Sequence, residues 1–361
     1  MPGMVMASYP SVVADELFYR ACLVVAVVLG LGLVAARRWI VRVARDGPPP
    51  DPGTALYRNI LARWLGALWL LDGLLQLQPL MATRFVGGLL APLIPGQSAP
   101  VAAIIEAGVR LWSVSPIWFN VGAAYLQLCI GLSLLFGQDG SRLRRGALWA
   151  SLVWGVVVWS VGEALGSLFD GGSALLGSPG SVLLYMAGAA LVLMPDAWWR
   201  QGRPWRILPG AFAVFFALMA FLQWWPPSGW WDPGTLSSYV GSMGRMPQPA
   251  VFAAPLLAWA KSLGLHPVLW NAVIGGSCAA LAGAWLAWPR RRATVFATAA
   301  WTLLVWYWGQ DFGVLGGMGT DPNTGAILLV YTLLWACRIG IVGHAPAGRA
   351  ASGEAMARAT R

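Results

Sequence analysis

The sequence predicts an all-α polytopic membrane protein with about nine transmembrane helices, and two observations lead to this prediction. First, 58% of the 361 residues are hydrophobic and only 11% are charged, whereas soluble domains have about 25% charged residues. Second, the apolar residues form long unbroken runs without the alternation that is typical of membrane barrel strands. The composition excludes an ordinary soluble enzyme, because so apolar a chain cannot cover its surface in water.

Nine apolar runs, bounded by charged residues, proline or glycine, are the predicted spans. A span needs about 20 residues to cross the hydrocarbon core, and the fifth run is somewhat short. The runs cover residues 17–36, 60–80, 117–136, 147–168, 181–195, 208–225, 267–288, 293–310 and 325–340.

The basic residues predict the orientation of these spans. With the N-terminus outside, 19 of the 24 lysine and arginine residues lie on the inner side and five lie on the outer side. Basic residues are enriched in cytoplasmic loops, so the sequence predicts a multi-pass protein of the cell membrane with its N-terminus outside and its C-terminus inside. The net charge of +10 therefore belongs to loops. It does not indicate nucleic-acid binding, because no folded basic domain is present.

Four short segments recur in the same order, which predicts an internal duplication. The resulting division is a first helix with a proline-rich inner linker (1–59), a first four-helix repeat (60–195), a second four-helix repeat (196–340) and a disordered cytoplasmic tail (341–361). The paired segments are LLQLQP at 74–79 with FLQWWP at 221–226, VSPIWFN at 114–120 with LHPVLWN at 265–271, VWSVGEALG at 158–166 with VWYWGQDFG at 305–313, and SPGSVLLY at 178–185 with DPNTGAILLVY at 321–331.

Each predicted repeat is one helix, a long outer loop and three further helices. The outer loops contain one-sided apolar segments at 102–112 and 255–265, which predict helices lying in the outer interface. Because each repeat crosses the membrane four times, both have the same orientation. They are therefore predicted to be parallel repeats related by an axis along the membrane normal.

The four-span unit resembles the DoxX-like group of integral membrane proteins. The resemblance rests on ARWLGALWLLDGLLQL at 62–77, on the outer amphipathic stretch, and on FNVGAAYLQLCIGLSLLFG at 119–137. Residues 60–195 match the general pattern, and residues 208–340 are similar to a second, diverged copy. The resemblance implies a quinone-linked or redox-associated membrane subunit, with quinone as the candidate cofactor. It also implies a membrane or extracytoplasmic redox partner besides the lipid bilayer.

Two acidic residues lie inside predicted spans, where each costs a few kcal/mol unless it is paired. These are Asp72 and Glu163, whose aligned positions in the second repeat are Met219 and Gln310. We therefore predict a proton- or ligand-binding site in the outer half of the first repeat, because a carboxyl in an apolar site can exchange protons. The alternative is structural, with protonated acids bonded to neighbouring amides or to a tryptophan N–H. The predicted site comprises Asp72, Glu163, Gln76 and Gln127, with Glu106 and Arg110 at its rim.

The second-repeat counterpart of this site is Gln310, Asp311 and Asp321, in a glycine-rich outer loop. Carboxylates there can hold a cation or a polar ligand, or Asp321 can simply cap the ninth span. No metal site is predicted. Haem and zinc are disfavoured because the two histidines, His266 and His344, lie outside the spans.

The sequence leaves three functions open. The first is the quinone-linked or redox-associated subunit that the resemblance implies. The second is a carrier or channel for a small solute, which the parallel repeats and intramembrane acids favour. The third is a membrane scaffold or assembly factor without a ligand. The chain has no predicted soluble catalytic domain, so whether it is an enzyme stays open.

Overall fold

The structure, a computed structural model, describes residues 11–46, 52–315 and 319–342, and within these ranges every regular element is a helix. The predicted tail from residue 343 and linker residues 47–51 lie outside the described residues. The α-helices are α1 (Ser11–Ala35), α2 (Arg37–Arg45), α3 (Pro52–Gln76), α4 (Pro79–Arg84), α5 (Ala99–Val114), α6 (Pro116–Phe136), α7 (Arg142–Val157), α8 (Ser181–Leu193), α9 (Asp196–Arg200), α10 (Arg203–Trp224), α11 (Thr235–Gly244), α12 (Ala250–Leu265), α13 (Pro267–Ala287), α14 (Arg292–Trp308) and α15 (Asn323–Arg338).

Five of the described helices are long and apolar enough to cross a membrane, which is what a membrane protein requires. A sixth span results if the helices Gly53–Gln76 and Leu80–Leu93, which meet at 74°, form one broken span. The five are Val13–Ala35, Pro116–Phe136, Arg142–Gly162, Arg203–Trp224 and Pro267–Ala287.

The count of nine spans and the orientation stay predictions, because the other helices are short. Each of the nine predicted runs does contain a helix. However, α8 has 13 residues, α14 has 17 and α15 has 16. At about 1.5 Å per residue, 13 residues reach only about 20 Å of the roughly 30 Å hydrocarbon core. The predicted interfacial segments at 102–112 and 255–265 lie within helices α5 and α12.

Local sequence explains where the helices near the candidate site begin and end. Pro116 starts α6, and proline is favoured in a first helical turn, where its missing N–H costs nothing. Ser141 caps α7 by accepting a hydrogen bond from the Arg144 N–H at 3.3 Å. The far end of α7 widens into a π-helical turn, Val158–Gly162, which stops the helix just before Glu163.

The two halves of the chain make corresponding contacts. In the first half the Gln76 side chain donates to Asn120 Oδ1 at 2.6 Å, joining α3 to α6. In the second half Gln223 donates to Asn271 Oδ1 at 2.7 Å, joining α10 to α13. Indole N–H groups recur in the same way, with Trp159 donating to the Pro179 carbonyl at 2.8 Å and Trp306 donating to the Pro322 carbonyl at 2.6 Å. Residues that the sequence aligns therefore perform the same packing task in both halves.

Buried aromatic side chains join the halves in one core. Trp69 and Tyr185 pack edge to face with ring centroids 5.3 Å apart in the first half, and Phe212 stacks on Trp285 at 4.1 Å in the second. The Tyr331 hydroxyl donates to the Leu184 carbonyl at 2.7 Å, linking α15 to α8. Burial of an aromatic side chain at such a contact stabilises the fold by several kcal/mol.

The outward faces of the helices are apolar, as a lipid-facing surface requires. On α1 the side chains of Leu23, Val28 and Leu31 are 62–66% exposed. Soluble monomers rarely expose contiguous apolar surface of this kind. The exposed stripe therefore indicates a helix that packs against lipid on most of its circumference.

The predicted orientation gives a labelling test. We expect single cysteines introduced at exposed positions within 86–100 and 232–248 to react with an impermeant maleimide added outside intact cells, and those at exposed positions within 140–145 and 290–292 to react only after permeabilisation. The four native cysteines are first replaced by serine or alanine. Labelling of the 290–292 loop from outside would contradict the N-out, C-in orientation.

Candidate ligand-binding site

A cavity of about 170 Å³ lies in the first half of the chain, between α3, α6, α7 and the bent segment after α4. We refer to it as the acid cavity. Its walls are mainly aromatic and aliphatic, and its polar groups come from α3, α6, the end of α7 and the loop before α15. Its lining residues are Trp69, Asp72, Gln76, Phe85, Leu89, Leu90, Leu93, Trp112, Ala123, Gln127, Trp154, Val157, Val158, Val161, Gly162, Glu163, Val182, Thr320 and Asp321.

The structure brings four of the predicted site residues to this cavity. Asp72 and Gln76 are four residues apart on α3, so both lie on one helix face. Gln127 comes from α6, and Glu163 follows the π-helical turn of α7. Residues separated by up to 91 positions therefore line one space. Asp321 also lines it, although it belongs to the second half of the chain.

Asp72 is buried without a hydrogen bond. The residue is 2% exposed, and neither carboxyl oxygen has a hydrogen-bond partner among the described residues. The hydroxyl of Tyr185 lies near this carboxyl, but no short, well-aligned hydrogen bond joins them. Glu163 and Asp321 are close enough to repel the carboxylate charge. A buried polar group without a partner costs about 1–3 kcal/mol, so a structural role alone gives no reason to retain it.

Glu163 and Asp321 meet at one hydroxyl. The Ser181 Oγ lies 2.6 Å from Glu163 Oε1 and 2.9 Å from Asp321 Oδ1. A hydroxyl has a single proton and can donate to only one of two carboxylates at a time. The second short contact is favourable only if the other carboxyl carries a proton and donates to the hydroxyl. The geometry therefore fits a pair of acids that shares at least one proton.

Asp321 also accepts a backbone hydrogen bond at the start of α15, although Pro322, and not Asp321, is the N-cap residue of that helix. The Asp321 Oδ1 accepts a hydrogen bond from the Asn323 N–H at 2.6 Å at the start of α15. In its loop position, burial raises the pKa of Asp321, while the hydrogen bonds from Ser181, Asn323 and Thr320 lower it by a smaller amount. The Asp321 side chain thus combines a hydrogen bond at the start of α15 with the contact to Ser181.

Backbone geometry fixes Glu163 at the cavity. After Glu163 the chain turns through four consecutive residues with positive φ, Ala164, Leu165, Gly166 and Ser167. This left-handed turn is sparsely populated by side-chain-bearing residues and costs about 1–3 kcal/mol per strained position. On the opposite side, a Cβ on Gly180 would meet the Glu163 carboxylate. Glycine at that position therefore leaves room for the carboxylate beside Ser181.

The remaining predicted site residues lie away from the acid cavity. Glu106 and Arg110 do not line it, and they form an exposed pair on α5 with the charged atoms 3.5 Å apart. Gln310 accepts a hydrogen bond from the Gly325 N–H at 3.1 Å and donates to the Ala174 carbonyl at 3.0 Å. Asp311 accepts from the Gln248 side chain at 2.7 Å.

Among the described residues, the cavity at the corresponding position of the second half is much smaller. The cavity that Gln310 lines is about 10 Å³. Its amide reproduces one contact of Glu163, whose Oε1 accepts from the Val182 N–H at 3.2 Å. Both groups of the Gln310 amide are thus satisfied by the protein itself. The first-half position keeps open space and unsatisfied acids.

The predicted site did not include three polar groups that the structure places at or beside this cavity. Ser181 links the two acids, Tyr185 lies beside Asp72, and the indole N–H of Trp154 lines the cavity without a hydrogen-bond partner among the described residues. With 23 tryptophans in the chain, no pattern distinguishes Trp154 from those that only pack. Among the described residues, no three His, Cys, Asp or Glu side chains form a group that could hold a metal ion.

No protein-family model, curated protein or solved structure matches this chain. The all-helical fold and the apolar helices define it as a membrane protein.

Proposed function

We propose that this membrane protein binds a quinone or quinol in the acid cavity, as a redox-associated subunit of the DoxX-like kind. One observation carries the proposal. Five buried polar atoms without hydrogen-bond partners among the described residues belong to residues lining this cavity. They are both carboxyl oxygens of Asp72, Oε2 of Glu163, Oε1 of Gln127 and Nε1 of Trp154. Buried polar groups are normally satisfied, so a polar ligand is the natural partner for such a set.

The walls of the cavity fit a flat, largely apolar body. Trp69, Trp112 and Phe85 present aromatic surface, and leucine and valine side chains fill the rest. A small-molecule site of mainly apolar lining with a few convergent polar groups is the usual arrangement for such ligands. A quinone ring has two carbonyl oxygens that accept hydrogen bonds. The Trp154 N–H, the Gln127 amide and a protonated carboxyl are suitable donors.

The acidic residues provide the proton transfer that a quinone site needs and that a simple gap between packed side chains lacks. A quinone that is reduced to a quinol takes up two protons, and its oxidation releases them. The Glu163–Ser181–Asp321 cluster lies at one end of the cavity with a hydroxyl between two carboxyl groups, so it can hold and release a proton there. The electrons come from a redox partner in or outside the membrane, as the DoxX-like resemblance implies.

The test is equilibrium binding of a short-chain benzoquinone to the purified protein in detergent, by titration calorimetry. We expect Trp154→Phe, which removes the N–H and keeps most of the ring, to weaken binding by up to about tenfold. Glu163→Gln should weaken it as well. Trp118→Phe is the matched control, because Trp118 is 55% exposed and does not line the cavity. Absence of binding, or equal loss in both tryptophan variants, would exclude the proposed site.

A second function is favoured by the charge of the cavity. Among the described residues its lining has three carboxyl groups and no basic side chain, which suits a proton or a small organic cation, and tryptophan faces attract cations. Such a protein would be a small-solute carrier. Proteoliposome flux that Asp72→Asn abolishes, without quinone binding, would select this function. A protein that lacks both activities and co-purifies with a stable partner would be a scaffold.

A further inference from the structure

A second cavity lies at the opposite ends of α3 and α7 from the acid cavity. It has a volume of about 340 Å³, and we refer to it as the arginine cavity. Its lining combines three arginines and two aspartates with an apolar rim. The lining residues are Arg58, Asp139, Gly140, Ser141, Arg144, Arg145, Leu148, Trp149, Val192, Leu193, Met194, Pro195 and Asp196.

Arg144 is buried and Arg58 is half-buried, and both lie at long ion-pair distance from Asp139. The side chain of Arg144 is 3% exposed and lies 3.9 Å from Asp139, and that of Arg58 is 12% exposed and lies 3.5 Å from the same carboxylate. Arg58 also forms an ion pair with Asp196, and Arg144 donates to Asn59. Yet the Nε atoms of both arginines, and Oδ1 of Asp139, have no hydrogen-bond partner among the described residues. The protein therefore does not fully satisfy the donors that it buries here.

The charge of the site is net positive. Arg58 and Arg63 are close enough to Arg144 to repel its charge, and Arg145 lines the cavity from the exposed side. The two aspartates do not balance these four guanidinium groups. An anion in the cavity would lower the repulsion among the arginines and accept hydrogen bonds from the guanidinium groups that line it. Guanidinium groups bind phosphate with particular geometric fit.

The rim indicates which anion this is. Leu148 of α7 and Val192 of α8 form the buried apolar side of the cavity, whereas Trp149 of α7 is 58% exposed at its rim. Val153 and Val156 continue this exposed apolar face along α7. Arginine beside exposed tryptophan at helix ends is typical of the membrane interface. From these observations we infer that the arginine cavity binds the phosphate group of an anionic phospholipid, whose acyl chains lie along α7 and α8. Basic pockets between membrane helices bind lipid head groups by this chemistry.

The test measures the melting temperature of the delipidated protein in detergent during titration with phosphatidylglycerol, phosphatidylcholine or inorganic phosphate. We expect phosphatidylglycerol to raise the melting temperature until the effect saturates. Arg145→Gln should raise the lipid concentration needed for half of this effect by about fivefold, since one arginine near an anionic lipid contributes about that factor to binding. Arg142→Gln is the matched control, because it removes the same charge from the same helix. The native Arg142 pairs with Asp46 and does not line the cavity.

The three titrations separate the sources of the phosphate group. A response to phosphatidylglycerol alone identifies a lipid head group. If inorganic phosphate also raises the melting temperature, and Arg145→Gln weakens that effect, the same site binds free phosphate as well. No saturable response to either, an equal response to phosphatidylcholine, or equal weakening in the two arginine variants would overturn the inference. Because the acid cavity contributes no residue to this site, the result does not depend on quinone binding.

Discussion

Gly166→Ala is expected to destabilise the protein by about 2–5 kcal/mol, far more than the same substitution at Gly96. Both glycines have positive φ, +67° at Gly166 and +88° at Gly96, so an alanine at either position is strained by about 1 kcal/mol or more. They differ in the space around them. A Cβ at Gly166 would fall inside the Pro179 carbonyl group, whereas no atom lies within 4 Å of a Cβ at Gly96.

The clash at Gly166 is costly because both sides of the contact are backbone. A flexible side chain could rotate away, but Pro179 and Gly180 belong to the turn that leads into α8. Opening this contact would also move Ser181 away from Glu163, which now lie 2.6 Å apart. We therefore expect Gly166→Ala to weaken benzoquinone binding as well as to lower the melting temperature.

The measurement is thermal unfolding of the two glycine variants in the same detergent, with denaturant unfolding as a second probe. The difference between the variants isolates the close contact, because backbone strain is common to both. Equal losses of stability would show that the turn can move apart from Pro179 and that it does not hold Glu163 in place.

The positions of most helices could be predicted from the sequence because hydropathy is a local property. Each apolar run contains a helix, and Pro116 and Pro267 mark helix starts within one residue of the predicted ones. The first helix of the repeat begins at Pro52, eight residues earlier than predicted, because its first turns are polar and an apolar run does not include them. The span predicted to run to residue 80 ends as a helix at Gln76, and the chain bends by 74° before Leu80. The bend was missed because the apolar run continues through it.

The sequence could predict only those residues of the candidate site that belong to the first repeat. Asp72 and Glu163 attract attention because charges are rare in apolar runs, and the structure places both at one cavity. The contact of Asp321 with Ser181 joins residues 140 positions apart in the two halves. No periodicity or spacing reports how the halves pack, so sequence reasoning assigned Asp321 to the second-repeat counterpart only. Glu106 and Arg110 are the opposite case. They were predicted at the rim of the site, but they form an exposed pair that does not line the cavity.

Two buried aspartates should respond to substitution with opposite signs. Asp72 is 2% exposed without a hydrogen-bond partner among the described residues, whereas Asp139 is 7% exposed and lies between Arg58 and Arg144. We expect Asp72→Met to stabilise the protein by about 1–3 kcal/mol, because it removes an unsatisfied polar group. We expect Asp139→Asn to destabilise it by about 3–5 kcal/mol, because the buried Arg144 loses its ion-pair partner and Arg58 keeps only Asp196.

The second half of the chain supports the choice of methionine. Met219 occupies the aligned position and is fully buried in the core, so the fold accommodates this side chain in the corresponding helix. The acid cavity next to Asp72 provides room for the extra atoms. A gain in stability on removal of a polar residue is the usual sign that the residue is kept for function. Asp72→Asn, which keeps the size and the polarity, should change stability little.

Unfolding and ligand binding must be measured on the same Asp72→Met preparation. We expect a higher melting temperature than that of the unmodified protein, together with at least about tenfold weaker binding of the short-chain benzoquinone, since a hydrogen-bonding group of the site is lost. Asp139→Asn should show a lower melting temperature with benzoquinone affinity unchanged at temperatures where it is folded. If Asp72→Met unfolds as readily as Asp139→Asn, the acid is structural. Its carboxyl must then have a partner within the fold, and the ligand site must be sought elsewhere.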